Sequence, residues 1–504
     1  MAIRLRPDGR VIGLAGACAL VATVLALVPV LGVTVPGFSD APAHMARHHI
    51  LAMAPFGGPL SRIYAVHWQW IANLGVDIPA TLMARWWGGE VATRLVTALI
   101  APLMIAGVAA LSRAVHGRVA ASAVVALPLV LHQAWMYGFL NYCLGTALAF
   151  LVAAWIYARK PLTVWSQAAL GAAALVVWTA HMAAWAVLLV LAAGNALGSL
   201  RRLRDVAPEV VRHAPLLLPL IPLLMWRSHA RGPGLVLSYD DFLLNKLTVF
   251  AGALRGTWMK ADLGLLAAVL LAAFLALLWA GRRIEPRLFI AGVLLALAAI
   301  AAPEFLLNSW GTDVRTAPIT ILVLVLAIPP SDNAGRERIV CLLGLALFLV
   351  RITIVTASWA QRSPMLEQRL TMLDAVPHGA RLGYLYAKPD CDGWILTPDE
   401  KLASYAVERR DAFVNTLFMV DNASLVTIRD PELQAHWTSE SQRVKVECPA
   451  HQLDEQALRQ SLYAMRRAGF DAIWISGVAT QDLPSVPGYV VARRLPMETM
   501  LVRR

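Results

Sequence analysis

The sequence predicts a mainly α, polytopic membrane protein with a C-terminal extramembrane α/β domain. Three observations lead there. Hydrophobic residues make up 58% of the 504-residue chain and charged residues 15%, against roughly 25% charged in an ordinary soluble domain. The mean hydropathy is +0.61, and the apolar residues arrive in blocks near the ~20 needed to cross a bilayer. Beyond residue 357 the apolar runs shorten and charges become frequent. A disordered chain, a collagen and an ordinary cytosolic enzyme are excluded.

About eleven blocks read as membrane spans: 11–33, 91–112, 119–136, 140–158, 164–180, 182–200, 214–226, 263–281, 287–302, 316–330 and 339–357. The first follows Arg4, Arg6 and Arg10. It is long for a signal peptide and lacks a clear small-residue cleavage site, so it reads as an uncleaved helix. The block at 214–226 is short and holds Pro215, Pro219 and Pro222, which predicts a kinked or partly re-entrant segment.

The net charge of +12 arises from 44 basic and 32 acidic residues. Much of the excess lies in short loops: Arg113 and Arg118; Arg159 and Lys160; Arg201, Arg202, Arg204 and Arg212; Arg282, Arg283 and Arg287; Arg336 and Arg338. The opposite turns near Tyr137 and His181 hold no Lys or Arg. This positive-inside pattern places the N-terminus in the cytoplasm. An odd number of spans then places the tail outside, in the periplasm of a bacterial inner (cytoplasmic) membrane. No zinc-finger spacing and no basic helix with interleaved aromatics points to nucleic acid.

Two regions follow from this reading. Residues 1–357 form the transmembrane region, with a large first outer loop at 34–90, and residues 358–504 form the outer α/β domain. In the tail, 381–387, 470–476, 488–495 and 499–502 read as strands, and 454–468 as an amphipathic helix ended by Gly469. Cys18, Cys143 and Cys341 fall in apolar spans and read as packing residues. Cys391 and Cys448 both fall in the outer domain, where an oxidising compartment leaves two options, a disulfide or two free thiols.

The most informative segment follows the first span, from Pro36 through Asp40 and His44 to Arg47, His48 and His49. Asp40 has two readings. It can cap a helix that starts near Ala41, or serve as a base or metal ligand facing a cavity at membrane level. His44 and His48 stand four apart, on one helical face. Asp40 and His44 are the candidate metal ligands, with no third ligand at a diagnostic spacing. Later, Asp313 and Arg315 precede a span, and they read either as a phosphate-binding position or as a surface ion pair. His132, Asn141 and His181 flank outer turns. They are read as interfacial anchors or as the rim of a cavity. Glu90 and Arg94 read as an intrahelical pair. Arg351, inside the last span, needs a partner that the sequence does not name.

With these residues, the chain resembles the GT-C superfamily of integral-membrane glycosyltransferases. The resemblance rests on the first long helix, the acidic opening of the first outer loop at Pro36–Arg47, the number of spans and the outer tail. Asp40 matches the family's first-loop catalytic acid. The segment Gly311–Arg315 resembles its late-loop basic position near the lipid phosphate. In place of the paired Asp-Glu of some branches, Asp40 is followed by Ala41.

The resemblance implies a glycosyltransferase that moves a hexose or pentose from a polyprenyl-phosphate sugar to an outer-face glycan or lipid acceptor of the cell envelope. Asp40 would be catalytic, and His44, Arg47, His181, Asp313 and Arg315 would bind substrate. A divalent cation, Mg or Mn, would be held by Asp40 and His44. Transfer to a hydroxyl needs a base as the anomeric carbon gains positive charge, and a leaving phosphate needs cations. The alternative is a lipid or glycan transporter or flippase without glycosyl transfer, and a third reading is an assembly factor whose tail binds a partner. No phosphate-binding GxxxxGK[ST] loop, HExxH or GxSxG motif is present.

Overall fold

The computed structural model describes residues 3–4, 11–159, 162–229, 241–306, 309–387, 393–417, 424–436, 443–444, 446–447 and 452–504. Its main helices are α1 (Leu14–Leu25), α2 (Ala41–Met53), α3 (Asp77–His116), α4 (Leu140–Tyr157), α5 (Val164–Ala180) and α6 (Met182–Ser199). They continue with α7 (Val206–His213), α8 (Phe242–Ala251), α9 (Met259–Trp279), α10 (Pro286–Ala301), α11 (Thr312–Leu326) and α12 (Ala334–Leu370). The tail adds α13 (Tyr405–Arg410) and α14 (Glu455–Arg467). Among the described residues, six helical stretches are long and apolar enough to cross a membrane, and four shorter apolar ones accompany them. The fold is a polytopic helical one with a sheet in the tail.

The block at 214–226 is broken as its prolines predict, and one stretch adds to the sequence reading. The block at 214–226 forms no continuous helix. A tight turn at Ala214–Leu217 precedes a short helix at Leu220–His229, because Pro215, Pro219 and Pro222 each remove an amide donor. The stretch 242–254, which falls between the spans read at 214–226 and 263–281, is also helical. Lys246 is buried there with an ion partner, so its charge does not mark an exposed loop.

The chain divides into two compact units. The first comprises Met1–Gly32, Trp70–Val76 and Thr97–Ala357; the second comprises Val33–Gln69, Asp77–Val96 and Ser358–Arg504.

In the first unit, helices meet through small residues, which let backbones approach closely. A Cβ on Gly194 would lie 2.5 Å from the Ala291 Cβ, and one on Gly292 would lie 2.5 Å from a Leu324 methyl. Asn141 fastens the segment 70–76. Its Oδ1 accepts from the Val76 N–H at 2.6 Å and its amide donates to the Asn73 carbonyl at 2.9 Å. Arg351 finds its partner in Asp262, at 2.9 Å, and also donates to the Leu131 carbonyl. Both side chains are fully buried, and the second Asp262 oxygen accepts from the Gly256 N–H at 2.9 Å.

In the second unit, the strands are β1 (Tyr64–Val66), β2 (Arg381–Ala387), β3 (Phe413–Val414), β4 (Val426–Ile428), β5 (Ala472–Ser476), β6 (Tyr489–Leu495) and β7 (Glu498–Arg503). The main sheet runs β6-β7-β5-β2-β3. Its central pair, β5 and β2, is parallel, with Trp474 opposite Tyr384. α14 lies between those two strands in sequence, as a parallel pair requires of its crossover. Asp454 caps it, accepting from the Ala457 N–H at 2.8 Å, and Leu458, Leu462 and Met465 form its buried stripe. These elements follow the tail pattern read from the sequence. Cys391 and Cys448 lie outside the described residues.

A second, two-stranded sheet joins segments far apart in sequence. β1 of the first outer loop pairs antiparallel with β4 of the tail, with Tyr64 opposite Ile428 and Val66 opposite Val426. The His67 N–H to the Leu425 carbonyl (2.8 Å) and the Arg429 N–H to the Ile63 carbonyl (2.9 Å) extend it at both ends.

The buried Arg351–Asp262 pair yields a quantitative expectation. Removing one member leaves an uncompensated buried charge, which costs about 3–5 kcal/mol, whereas replacing both by apolar residues is often close to neutral. Thermal unfolding in detergent should show a large loss for Arg351→Met, and a smaller one for Arg351→Met combined with Asp262→Leu.

Candidate active site

Asp40 stands at the N-cap of α2, and its carbonyl accepts from the N–H groups of Ala43 and His44 at 3.0 and 3.2 Å. The carboxylate itself makes no capping hydrogen bond. Of the two sequence readings, the cap position is therefore real, but the cap is not the work of the side chain. The chain leading to Asp40 is fixed by close packing. The Val35 N–H donates to the Ser363 hydroxyl at 3.0 Å, and the Phe38 ring meets the Trp359 ring edge-on at 4.6 Å. Gly37 lies so close to the Trp359 indole that a Cβ would sit at 2.5 Å.

Arg47 is engaged by Asp77. Its Nε lies 2.6 Å from one carboxylate oxygen, and its Nη2 donates to the other at 2.9 Å. The same Nη2 lies 3.0 Å from His44 Nδ1, so His44, Arg47 and Asp77 form one chain of contacts. His48 is fully buried beside them. Its Nδ1 lies 2.7 Å from the Thr93 hydroxyl and its Nε2 lies 3.5 Å from Asp77. Burial lowers the His48 pKa. A neutral ring with the proton on Nε2 satisfies both neighbours, accepting from Thr93 and facing the carboxylate. The sequence reading singled out neither Asp77 nor Thr93. The available signal was Arg47 itself, since a guanidinium inside a half-apolar helix calls for an acidic partner.

Ala43, His44, Arg47 and Ile50 form one face of α2. With Leu417, Ser424 and Val426 of the tail they line a narrow slot. His44 and Arg47 thus face a cleft, and the tail supplies its other wall.

Glu90 and Arg94 do not pair with each other. Glu90 is held by Arg409 at 2.7 and 3.0 Å, and Arg94 donates to the Thr34 carbonyl. Each is taken by a partner distant in sequence. Just before them α3 breaks at Gly88, whose φ of 78° is left-handed and suits glycine alone. The Glu408 carboxylate from α13 fills the break and accepts from the Glu90 N–H at 2.7 Å. It acts as a cap supplied from a distant part of the sequence. Its burial, then the nearby Glu90 charge, raise the Glu408 pKa to about 7.

The first unit holds a separate cluster of expected substrate residues. Asp313 is buried and pairs with Lys246 at 2.5 Å. The alternative reading of an Asp313–Arg315 surface pair is therefore corrected: Asp313 is internal, and its partner comes from α8. Arg315 donates to the Trp310 carbonyl at 2.5 Å, and its guanidinium stacks 4.0 Å above the Phe139 ring. Tyr137, Phe139 and Trp310 pack on one another beside it. His181 caps α6, its Nδ1 accepting from the Ala183 N–H at 3.1 Å, with the Tyr142 ring 5.6 Å away. His132 likewise caps a short helix.

Among the described residues, no group of three or more His, Cys, Asp or Glu side chains gathers as a metal site. Asp40 and His44 are the residues that would hold a divalent cation, with water and substrate phosphate completing its shell, and no chemical step is assigned to one.

No family model matches the sequence, and no curated protein matches it either. Solved structures do. ArnT from Cupriavidus metallidurans in the apo state aligns with a TM-score of 0.53 at 13% identity, over 96% of this chain and 97% of that one. The same protein bound to undecaprenyl phosphate aligns with a TM-score of 0.53 at 12% identity and the same coverage. The likeness is one of fold along nearly the whole chain. The protein has an ArnT-like polytopic membrane fold.

The Glu408 cap sets a pH dependence. A carboxyl whose pKa is raised by folding binds more protons folded than unfolded, so stability falls as pH rises between its ordinary range and about 7. The unfolding midpoint of the wild type should decline across roughly pH 4.5–7 from this group. Glu408→Gln should remove that component of the slope, which differential scanning fluorimetry across the window would detect.

Proposed function

We propose that the protein is a membrane glycosyltransferase of the bacterial inner membrane, drawing its sugar from a polyprenyl-phosphate donor and passing it to an outer-face acceptor. The carrying observation is the match of fold to ArnT along 96% of the chain, together with a first-loop acid at the family's position whose carboxylate is not used as a cap. One of the two matching structures is ArnT bound to undecaprenyl phosphate, which supports the donor class.

In this reading Asp40 takes the proton from the acceptor hydroxyl as the anomeric carbon develops positive charge. His44 and Arg47, on the slot-lining face of the same helix, orient the hydroxyl-bearing substrate. Arg47 is neutralised by Asp77, so it acts as a directed donor more than as a net charge. Arg315, buried and stacked on the Phe139 ring, suits a phosphate oxygen, since a stacked guanidinium keeps its remaining donors in a fixed plane. Asp313 and His181 are assigned supporting roles for the same donor. In this reading the basic short loops support a cytoplasmic N-terminus and a periplasmic outer domain.

The test is donor consumption. Purified protein with native lipids would be incubated with a panel of polyprenyl-phosphate sugars, and release of polyprenyl phosphate followed by mass spectrometry. Asp40→Asn should lower release by at least the ~10²-fold typical of a lost general base, with the unfolding midpoint unchanged. Full activity in that variant would refute the assignment of Asp40. Translocation of the lipid without a new glycosidic bond would favour the transporter reading.

A further inference from the structure

The opposite kind of surface appears at α7. In a soluble protein the apolar face of such a helix turns inward; here it turns outward. Val206 (41% exposed), Val210 (61%) and Val211 (60%) face out, and so does Leu203 in the turn before the helix. The polar face is turned in. Glu209 is buried and bound to Arg159, and His213 Nε2 lies 3.3 Å from the Asn195 amide. An amphipathic helix with this orientation lies in a membrane interface.

Beside it runs an apolar groove of about 630 Å3, bounded by Val164, Ala168 and Gly171 along α5, by Leu162 just before it, and by Pro215 and Leu218 opposite. The space is within the range of pockets that hold a ligand of moderate size. A smaller cavity adjoins it, lined among others by Gln167 and Arg212. Gln167 lines both spaces. Its side-chain carbonyl oxygen is buried and has no hydrogen-bond partner among the described residues, a condition that costs free energy unless a donor arrives. The surrounding charge is positive: Arg159, Arg201, Arg202, Arg204 and Arg212 against Asp205 and Glu209.

We propose that this groove binds an anionic phospholipid. Its acyl chain lies along α5 in the apolar channel, a headgroup hydroxyl donates to Gln167, and its phosphate faces Arg212. A lipid fits where a soluble ligand does not, because the channel is lined mainly by apolar residues and reaches Ala214, the residue that follows α7. A basic cluster next to an interfacial helix selects anionic headgroups. The site is independent of the glycosyl-transfer reading, and it would stand if that reading failed.

The experiment uses the full chain, delipidated in detergent and titrated with phosphatidylglycerol under native mass spectrometry. Phosphatidylcholine and inorganic phosphate are the comparisons. The wild type should retain one phosphatidylglycerol in preference to phosphatidylcholine, and inorganic phosphate should not displace it. Arg212→Gln should weaken retention about fivefold, the effect of one charge at an anionic lipid. Ala168→Trp, at an exposed position of α5, should fill the channel and abolish retention. Circular dichroism would confirm that both variants keep their helices. Full retention in either variant, equal retention of phosphatidylcholine, or displacement by inorganic phosphate would overturn the proposal.

Discussion

The second unit depends on the ion pair of Arg47 and Asp77. It binds the middle of α2 to the start of α3, and every candidate residue of the first loop takes its place from that attachment. A guanidinium and a carboxylate largely removed from water are costly to bury singly and acceptable as a two-point pair. His44 rests on the same guanidinium, and His48 reaches the same carboxylate from the other side. Asp40 begins the helix that this pair secures. The pair therefore orders the site without itself supplying an exposed charge.

The same economy recurs elsewhere in the chain. Glu408 caps the broken α3, Asp262 receives Arg351, and Asp313 receives Lys246. In each case a charge in an apolar setting is met by a group remote in sequence. Close helix contacts through glycine and alanine then fill the space between. The tail is joined to this scheme by backbone, through the β1–β4 pairing, and by side chains, through Arg409 and Glu90. It thereby becomes a wall of the slot beside His44 and Arg47.

Hydropathy blocks made most spans legible, since a bilayer imposes length and apolarity on each helix alone. The tail strands and α14 were legible for the same local reason: short apolar runs, an amphipathic stripe at helical spacing and a closing glycine. What stayed hidden was non-local. β1 and β4 are three residues each and carry no strong alternation, so their pairing is set by the partner. α8 falls between two of the hydropathy blocks and was not read as a span; its Lys246 is met by Asp313, 67 positions away. Asp40 could be picked out because its position in the first loop carries meaning by resemblance. Asp77 could not, because its importance lies only in what it touches.

The most direct test of this account is hydrogen exchange across α2 in the wild type and in Asp77→Asn. If the ion pair seats the helix, amides of residues 41–53 should exchange markedly faster in the variant, while those of β2 and β5 keep their protection. Unchanged protection in α2 would contradict the account, since the helix that begins with Asp40 would then be held by something other than Arg47 and Asp77.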